Sequence, residues 1–107
     1  MGEIKTIYCV TPVYNDWDSF SDLYANTVLL QQEFKDQFKL KFIVVNDGSF
    51  EKINLKKTSI DVVVLNLKIN IGHQRAIAVG LQYVYNEIED ASAVLVMDSD
   101  GEDKPEH

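Results

Sequence analysis

Asp98 and Asp100 stand two apart directly after an unbroken apolar run, Ala93-Val94-Leu95-Val96-Met97, with Ser99 between them and Gly101, Glu102 and Asp103 behind. Such a run reads as a short strand buried on both faces. Two carboxylates crowded where a buried strand meets solvent repel each other and sit poorly beside apolar neighbours. A hard divalent cation removes that penalty, because Mg²⁺ and Mn²⁺ take carboxylate oxygens and fill their remaining positions with phosphate and water. The plainer alternative is an acidic turn in which Gly101 supplies a positive φ. Position favours the metal: a DxD pair means little in a loose loop and more at a buried strand end.

Three further clusters carry chemistry. In Thr11-Pro12-Val13-Tyr14-Asn15, Tyr14 beside Pro12 offers a flat wall on which a ring can stack. In Asn46-Asp47-Gly48-Ser49, the Asp47 carboxylate can accept from a base or sugar while Gly48 lets backbone approach closely; a plain turn accounts for the same residues. Asn70-Ile71-Gly72-His73-Gln74-Arg75 contains a conflict. His73 and Arg75 fall in the first turn of a helix, where the dipole disfavours cations by roughly 0.3–1 kcal/mol each. An anion held there cancels the conflict, unless Arg75 simply pairs with one of the many acids. His73 has no second His or Cys spaced to join it as a metal ligand.

The elements that must position these clusters follow from periodicity. Strands are expected over residues 4–10, 40–45, 60–67 and 93–97, with Pro12 stopping the first because it cannot donate to a ladder. A helix capped by Asp16, Asp18 or Ser19 is expected to run to about Phe38, its apolar face made by Phe20, Leu23, Tyr24, Thr27, Leu30, Phe34 and Phe38. A second is expected over residues 73–89 with Ile77, Leu81, Val84 and Ile88 on one face. Residues 50–59 suggest one or two helical turns. Ala76, Ile77, Ala78, Val79 and Gly80 read as packing. Apolar strands alternating with helices predict an α/β fold with a parallel, covered sheet. In such sheets ligands sit beyond the carboxyl ends of the strands. Every polar cluster above follows a strand, so all four converge on one rim.

Composition limits the partners. A net charge of −7 over 107 residues argues against nucleic acid or an anionic membrane surface as the main partner. The length suits one domain. Cys9, the only cysteine, lies in an apolar run and suggests a buried thiol in an intracellular setting. No apolar run approaches the roughly 18 residues of a membrane span, and the start carries no signal-peptide pattern.

Taken together, Thr11-Pro12-Val13-Tyr14-Asn15, Val44-Val45-Asn46-Asp47-Gly48-Ser49, Asn70-Ile71-Gly72-His73-Gln74, and Met97-Asp98-Ser99-Asp100 with Pro105-Glu106 resemble, in order, the motifs of the family 2 glycosyltransferases of GT-A fold. The Asn70 to Gln74 run, followed by Gly80-Leu81, is similar in particular to members that transfer sugars to polyprenyl phosphates. The resemblance implies that residues 1–107 are the nucleotide-sugar-binding half of such an enzyme, a three-layer Rossmann-like domain with a parallel sheet of order 3-2-1-4. It implies an inverting, metal-dependent transfer from a UDP- or GDP-sugar to an acceptor such as a polyprenyl phosphate, at the cytoplasmic face of a membrane. On this resemblance Pro12, Tyr14 and Asp47 surround the base, with Asn15 alongside. Asn70, Gly72 and Arg75 lie near the base or the phosphates, Asp98 and Ser99 near the ribose, and Asp98 and Asp100 on Mn²⁺ or Mg²⁺. Family members are much longer, with the acceptor half and catalytic carboxylate after the DxD. The base is therefore expected beyond His107, and the 107-residue chain alone is expected to be inactive.

In the order 3-2-1-4 the last strand is an edge, yet it carries none of the lysines, prolines or inward charges that protect one. Pairing with a second copy, giving a homodimer, is the expected remedy. Two rivals compete with the transferase reading. One is a stand-alone nucleotide-binding module without transferase activity. The other is a phospho-receiver domain, which needs an aspartate after the third strand, where this chain has Asn66-Leu67-Lys68.

Overall fold

A computed structural model describes residues 4–48 and 60–97. Within them the β-rich apolar stretches form strands and the intervening stretches form helices: β1 (Lys5–Val13), α1 (Trp17–Glu33), β2 (Phe38–Asn46), β3 (Val62–Asn66), α2 (His73–Glu87) and β4 (Ala91–Val96). The strands pair in parallel in the order β3-β2-β1-β4. The expected α/β class and the order 3-2-1-4 both hold. Parallel neighbours require crossovers, and the two helices lie on opposite faces of the sheet. Phe20 of α1 packs with Cys9, Val13, Phe42 and Val44 on one face. Val84 of α2 packs with Tyr8, Val10 and Ile43 on the other. Among the described residues no helix is long and apolar enough to cross a membrane.

Asp16 caps α1 by accepting the Ser19 amide at 3.3 Å. The helix then buries Trp17 and Phe20, and the Phe20 ring meets Phe42 edge-on at 5.4 Å. The expected run to Phe38 is too long. The helix stops at Glu33, a turn bonds the Gln37 and Phe38 amides to the Phe34 carbonyl, and Phe38 opens β2. Phe34 and Phe38 remain in edge contact at 6.3 Å, so the i, i+4 spacing brings the rings together across a turn instead of along a helix. Gln31 fastens the helix to the start of β2, its amide donating to the Phe38 carbonyl at 2.7 Å and accepting the Leu40 N–H at 2.6 Å. It satisfies backbone that β3, first paired at Phe42, begins too late to reach.

The expectation that Pro12 stops the first strand also fails, since β1 continues to Val13 and pairs Pro12 with Val45. The reason lies in alternation along a parallel strand. Val10 accepts the Met97 amide from the β4 side, while Val13 accepts the Asp47 amide from the β2 side. Pro12, two residues beyond Val10, therefore turns its missing N–H toward the β4 side, where the pairing has already ended at Val96. The proline ends one ladder and leaves the other intact.

Two faces differ from expectation. α2 buries Ala76, Gly80 and Val84, whereas Leu81 is exposed. The small residues decide this, because a Cβ on Gly80 would stand 2.5 Å from Val10 Cγ1 and 3.0 Å from Val45 Cγ2, so the helix axis lies closest to the sheet there. β4 is not buried on both faces: Leu95 and Val96 are each 49% exposed. Among the described residues it pairs only with β1, at the edge of the sheet. The helical turns expected over residues 50–59 lie outside the described residues.

Candidate functional site at the carboxyl rim of the sheet

Parallel order brings the carboxyl ends of β1, β2, β3 and β4 to one rim, and α2 begins there. Pro12 is fully buried in the last part of β1. Tyr14, immediately beyond, is 39% exposed, so its ring is accessible from the rim. Asn15 is half-buried and adopts a left-handed φ of 51°, a conformation asparagine tolerates better than most residues and one that turns the chain into α1.

The best defined part of the rim is built around Asp47. Its side chain is 0% exposed. Oδ1 accepts the Ile71 amide at 2.8 Å, and Oδ2 accepts the Gly72 amide at 3.0 Å and the Asn70 side-chain amide at 2.9 Å. The same Asn70 Nδ2 reaches the Asp47 carbonyl at 3.1 Å. Beneath this, Asn46 donates to Asn66 Oδ1 at 2.9 Å and Leu67 donates its amide to the Asn46 carbonyl at 3.0 Å. The ends of β2 and β3 are thereby sewn together. Gly48, at φ 75°, lies so close that a Cβ there would come within 2.5 Å of the Asn70 nitrogen.

This arrangement revises the electrostatics expected at the start of α2. Gly72 is the N-cap and makes no side-chain cap bond, and the Asp47 carboxylate of β2 accepts the Ile71 and Gly72 amides just ahead of the first turn, which sets a negative group near the positive end of the helix. The positive end of the helix is thus partly answered from within the protein. Gly72 itself, at φ 94° and ψ 153°, adopts a conformation essentially restricted to glycine, and a Cβ added to it would meet nothing within 4 Å among the described residues. Asn70 and Arg75 are exposed beside it, and Arg75 makes no ion pair among the described residues.

The structure therefore gathers Asp47, Asn70 and Gly72 into one hydrogen-bonded unit, with Arg75 one helical turn on and Pro12, Tyr14 and Asn15 at the end of the adjoining strand. Asp98, Ser99 and Asp100 lie outside the described residues. Sequence reasoning missed the Asn46–Asn66 pair and the two backbone amides that face Asp47. A positive-φ glycine directly after an aspartate was the available signal, but it does not reveal which later segment the carboxylate meets.

Comparison with known proteins places these features in context. The model of the family described as glycosyl transferase family 2 matches residues 8–107. An uncharacterized glycosyltransferase, YkcC, of Bacillus subtilis is 32% identical over 102 residues, covering 91% of this chain and 29% of that protein. A dolichyl-phosphate beta-glucosyltransferase of Trichomonas vaginalis is 32% identical over 103 residues, covering 89% and 30%. An undecaprenyl-phosphate 4-deoxy-4-formamido-L-arabinose transferase of Edwardsiella ictaluri is 28% identical over 115 residues, covering 99% and 33%. The chain spans roughly a third of the length of these relatives.

Proposed function

The chain belongs to glycosyl transferase family 2, and from that premise we propose that it forms the donor-binding part of an enzyme moving a sugar from a nucleoside diphosphate sugar to a polyprenyl phosphate. The observation that carries this reading is the rim itself: the family motifs on β1, β2 and the β3–α2 turn meet at one edge of the sheet, around the buried Asp47. Two relatives whose names specify dolichyl-phosphate and undecaprenyl-phosphate transfer support the acceptor class.

In this reading Tyr14 offers its accessible ring to the base, and Pro12 and Asn15 shape the backbone behind it. Asn70 and Gly72 present an open backbone edge to the nucleoside, and Arg75 places a cation within reach of the diphosphate. The donor set after β4 fits a hard divalent ion. β4 ends at Val96, Met97 is still bonded to Val10, and the chain then continues directly into the oxygen ligands Asp98 and Asp100. When bound, Mn²⁺ or Mg²⁺ supplies charge stabilisation for the departing diphosphate.

Transfer in one displacement inverts the anomeric centre. The acceptor oxygen bonds to the anomeric carbon through an oxocarbenium-like state as the bond to the diphosphate breaks, and its electron pair leaves on the diphosphate. A phosphate acceptor arrives with its attacking oxygen largely ionised near neutrality, its second pKa being about 6. That chemistry relaxes the demand for a general base.

Calorimetry of the 107-residue chain with UDP and GDP, in Mn²⁺ and after chelation, tests the donor site. Metal-dependent binding is expected, and Asp100→Ala should remove the dependence. Equal affinity with and without chelator would eliminate the metal role, and no binding of either nucleotide would eliminate the donor site. Passage of labelled sugar into an organic phase with a polyprenyl phosphate distinguishes transfer from binding alone.

A further inference from the structure

We infer that Pro12 is a positioning residue for the metal and the donor: by withholding an N–H from the Met97 carbonyl, it ends the β1–β4 ladder at the residue before Asp98. The inference rests on the reading of this rim as a donor site. Its starting point is how differently β1 holds its two neighbours. Toward β2 the pairing runs through Pro12 and Val13, and the Asp47 amide then donates to the Val13 carbonyl at 2.8 Å. Toward β4 the pairing ends at Val96, and the last bond among the described residues runs from the Met97 amide to the Val10 carbonyl at 2.8 Å.

Alternate residues of a parallel strand face the same neighbour, so the next donor toward β4 would be the N–H of residue 12 and its acceptor the Met97 carbonyl. Residue 12 is a proline and has no N–H to give. Its Cδ stands where the hydrogen would be. A carbon facing a carbonyl oxygen settles at about 3.3–3.6 Å, against about 2.9 Å for an amide nitrogen. β1 is therefore held off β4 at this level while it stays zipped to β2.

The level matters because of where it lies. α1 and α2 pack on opposite faces, and β1 has β2 on one side and β4 on the other, so the strand order reverses between β1 and β4. That gap is where a sheet of this kind opens a crevice for ligands. A proline buried within a strand gives up a ladder bond. Here the bond given up is the one beside the two candidate oxygen ligands, Asp98 and Asp100. An extended strand fixes alternate side chains above and below its sheet, whereas a hard cation needs oxygens that converge on one point. A ladder that stops at Met97 leaves the acidic run free of that constraint.

Proline also fixes φ and fills space with its ring, and the test separates these effects from the missing N–H. It compares Pro12→Ala, which supplies the N–H, with a variant carrying lactic acid in place of Pro12, which has the alanine side chain but an ester oxygen instead of the nitrogen. Hydrogen exchange at position 12 reads the new bond, urea unfolding reads stability, and calorimetry reads Mn²⁺-dependent binding of UDP and GDP. In Pro12→Ala the amide at position 12 should exchange at least about tenfold more slowly than in an unfolded peptide, and affinity should fall by about tenfold, the scale of one hydrogen bond. The ester variant should bind within about threefold of the unaltered chain and be no more stable than Pro12→Ala. Equal losses in both variants would overturn the proposal and assign the effect to the ring or its φ. Unchanged affinity in Pro12→Ala, or an amide at position 12 that exchanges as in a peptide, would overturn it too. Should Pro12→Ala alone fail to fold, the proposal falls, because an added ladder bond cannot unfold the chain; should both fail, ring packing is the reason for the proline and the proposal falls as well. If the unaltered chain binds neither nucleotide, the donor reading fails, and exchange at position 12 alone decides whether Pro12 withholds the ladder bond.

Discussion

Gly80→Ala tests how closely α2 is pressed onto the sheet. The added Cβ would stand 2.5 Å from Val10 Cγ1, whereas carbon atoms settle at about 3.5–4.0 Å. Relief requires a movement of about 1 Å, either of the helix or of Val10, and Val10 and Val45 are both completely buried. Overpacking of this kind costs about 1–3 kcal/mol. Alanine in a helix interior returns about 0.8–1.0 kcal/mol relative to glycine. Packing should win, leaving the variant about 1 kcal/mol less stable. The two contributions separate experimentally with Ala78→Gly, two residues away on the exposed side of the same helix, which loses the propensity contribution and no packing. Urea unfolding of both variants gives the packing cost by difference. If Gly80→Ala gains as much stability as Ala78→Gly loses, the packing cost is zero and the account of α2 fails. Tilting α2 also moves the turn before it, so nucleotide affinity should fall along with stability.

Other consequences follow from single groups. The Thr11 hydroxyl is buried without a hydrogen-bond partner among the described residues; Thr11→Val, nearly identical in shape, should therefore stabilise the chain by about 1–2 kcal/mol, and a loss in urea unfolding would reveal a partner. Burial raises the Cys9 thiol from 9.0 to about 11, and burial, then the bond to Asp90, raises Tyr8 above 10.0. Both groups hold their protons more tightly when folded, so the stability that goes with the protonated form is lost at alkaline pH; for Cys9 it is complete below about pH 9 and declines as pH rises through about 11. The Cys9 share is roughly 2–3 kcal/mol, and Cys9→Ala should flatten the alkaline fall between pH 9 and 11; an unchanged slope would refute the assignment. β4 should drive self-association, because Leu95 and Val96 are both exposed, and Leu95 lines an apolar groove of about 190 Å³ with Leu30, Phe34 and Phe38. Light scattering over a concentration series should show dimers that Val96→Lys disperses, and a strict monomer at high concentration would refute the edge pairing.

The sequence by itself determined where strands and helices form, because β-rich apolar runs and amphipathic spacing are local properties. It also placed the motifs at or near the carboxyl ends of the strands, and the resemblance carried by those motifs supplied the order 3-2-1-4. What it could not determine depends on neighbours. The continuous apolar character of residues 93–97 looks the same in a central strand and in an edge, and only the fold, in which β4 pairs among the described residues with β1 alone, shows Leu95 and Val96 exposed. Phe34 and Phe38 keep helical spacing whether or not the backbone between them turns, so periodicity ran the first helix too far. Pro12 reads as a strand breaker until the sheet shows which side its missing N–H faces. Gly80 was one small residue in a run of packing residues, and the closeness of Val10 exists only once α2 crosses the sheet. Asp47 is the sharpest case. Its type and position marked it as functional, but the direction of its carboxylate is set by amides 24 and 25 residues away. Such a distance along the chain is closed only by folding, and the full burial that makes those hydrogen bonds strong is itself a property of the assembled rim.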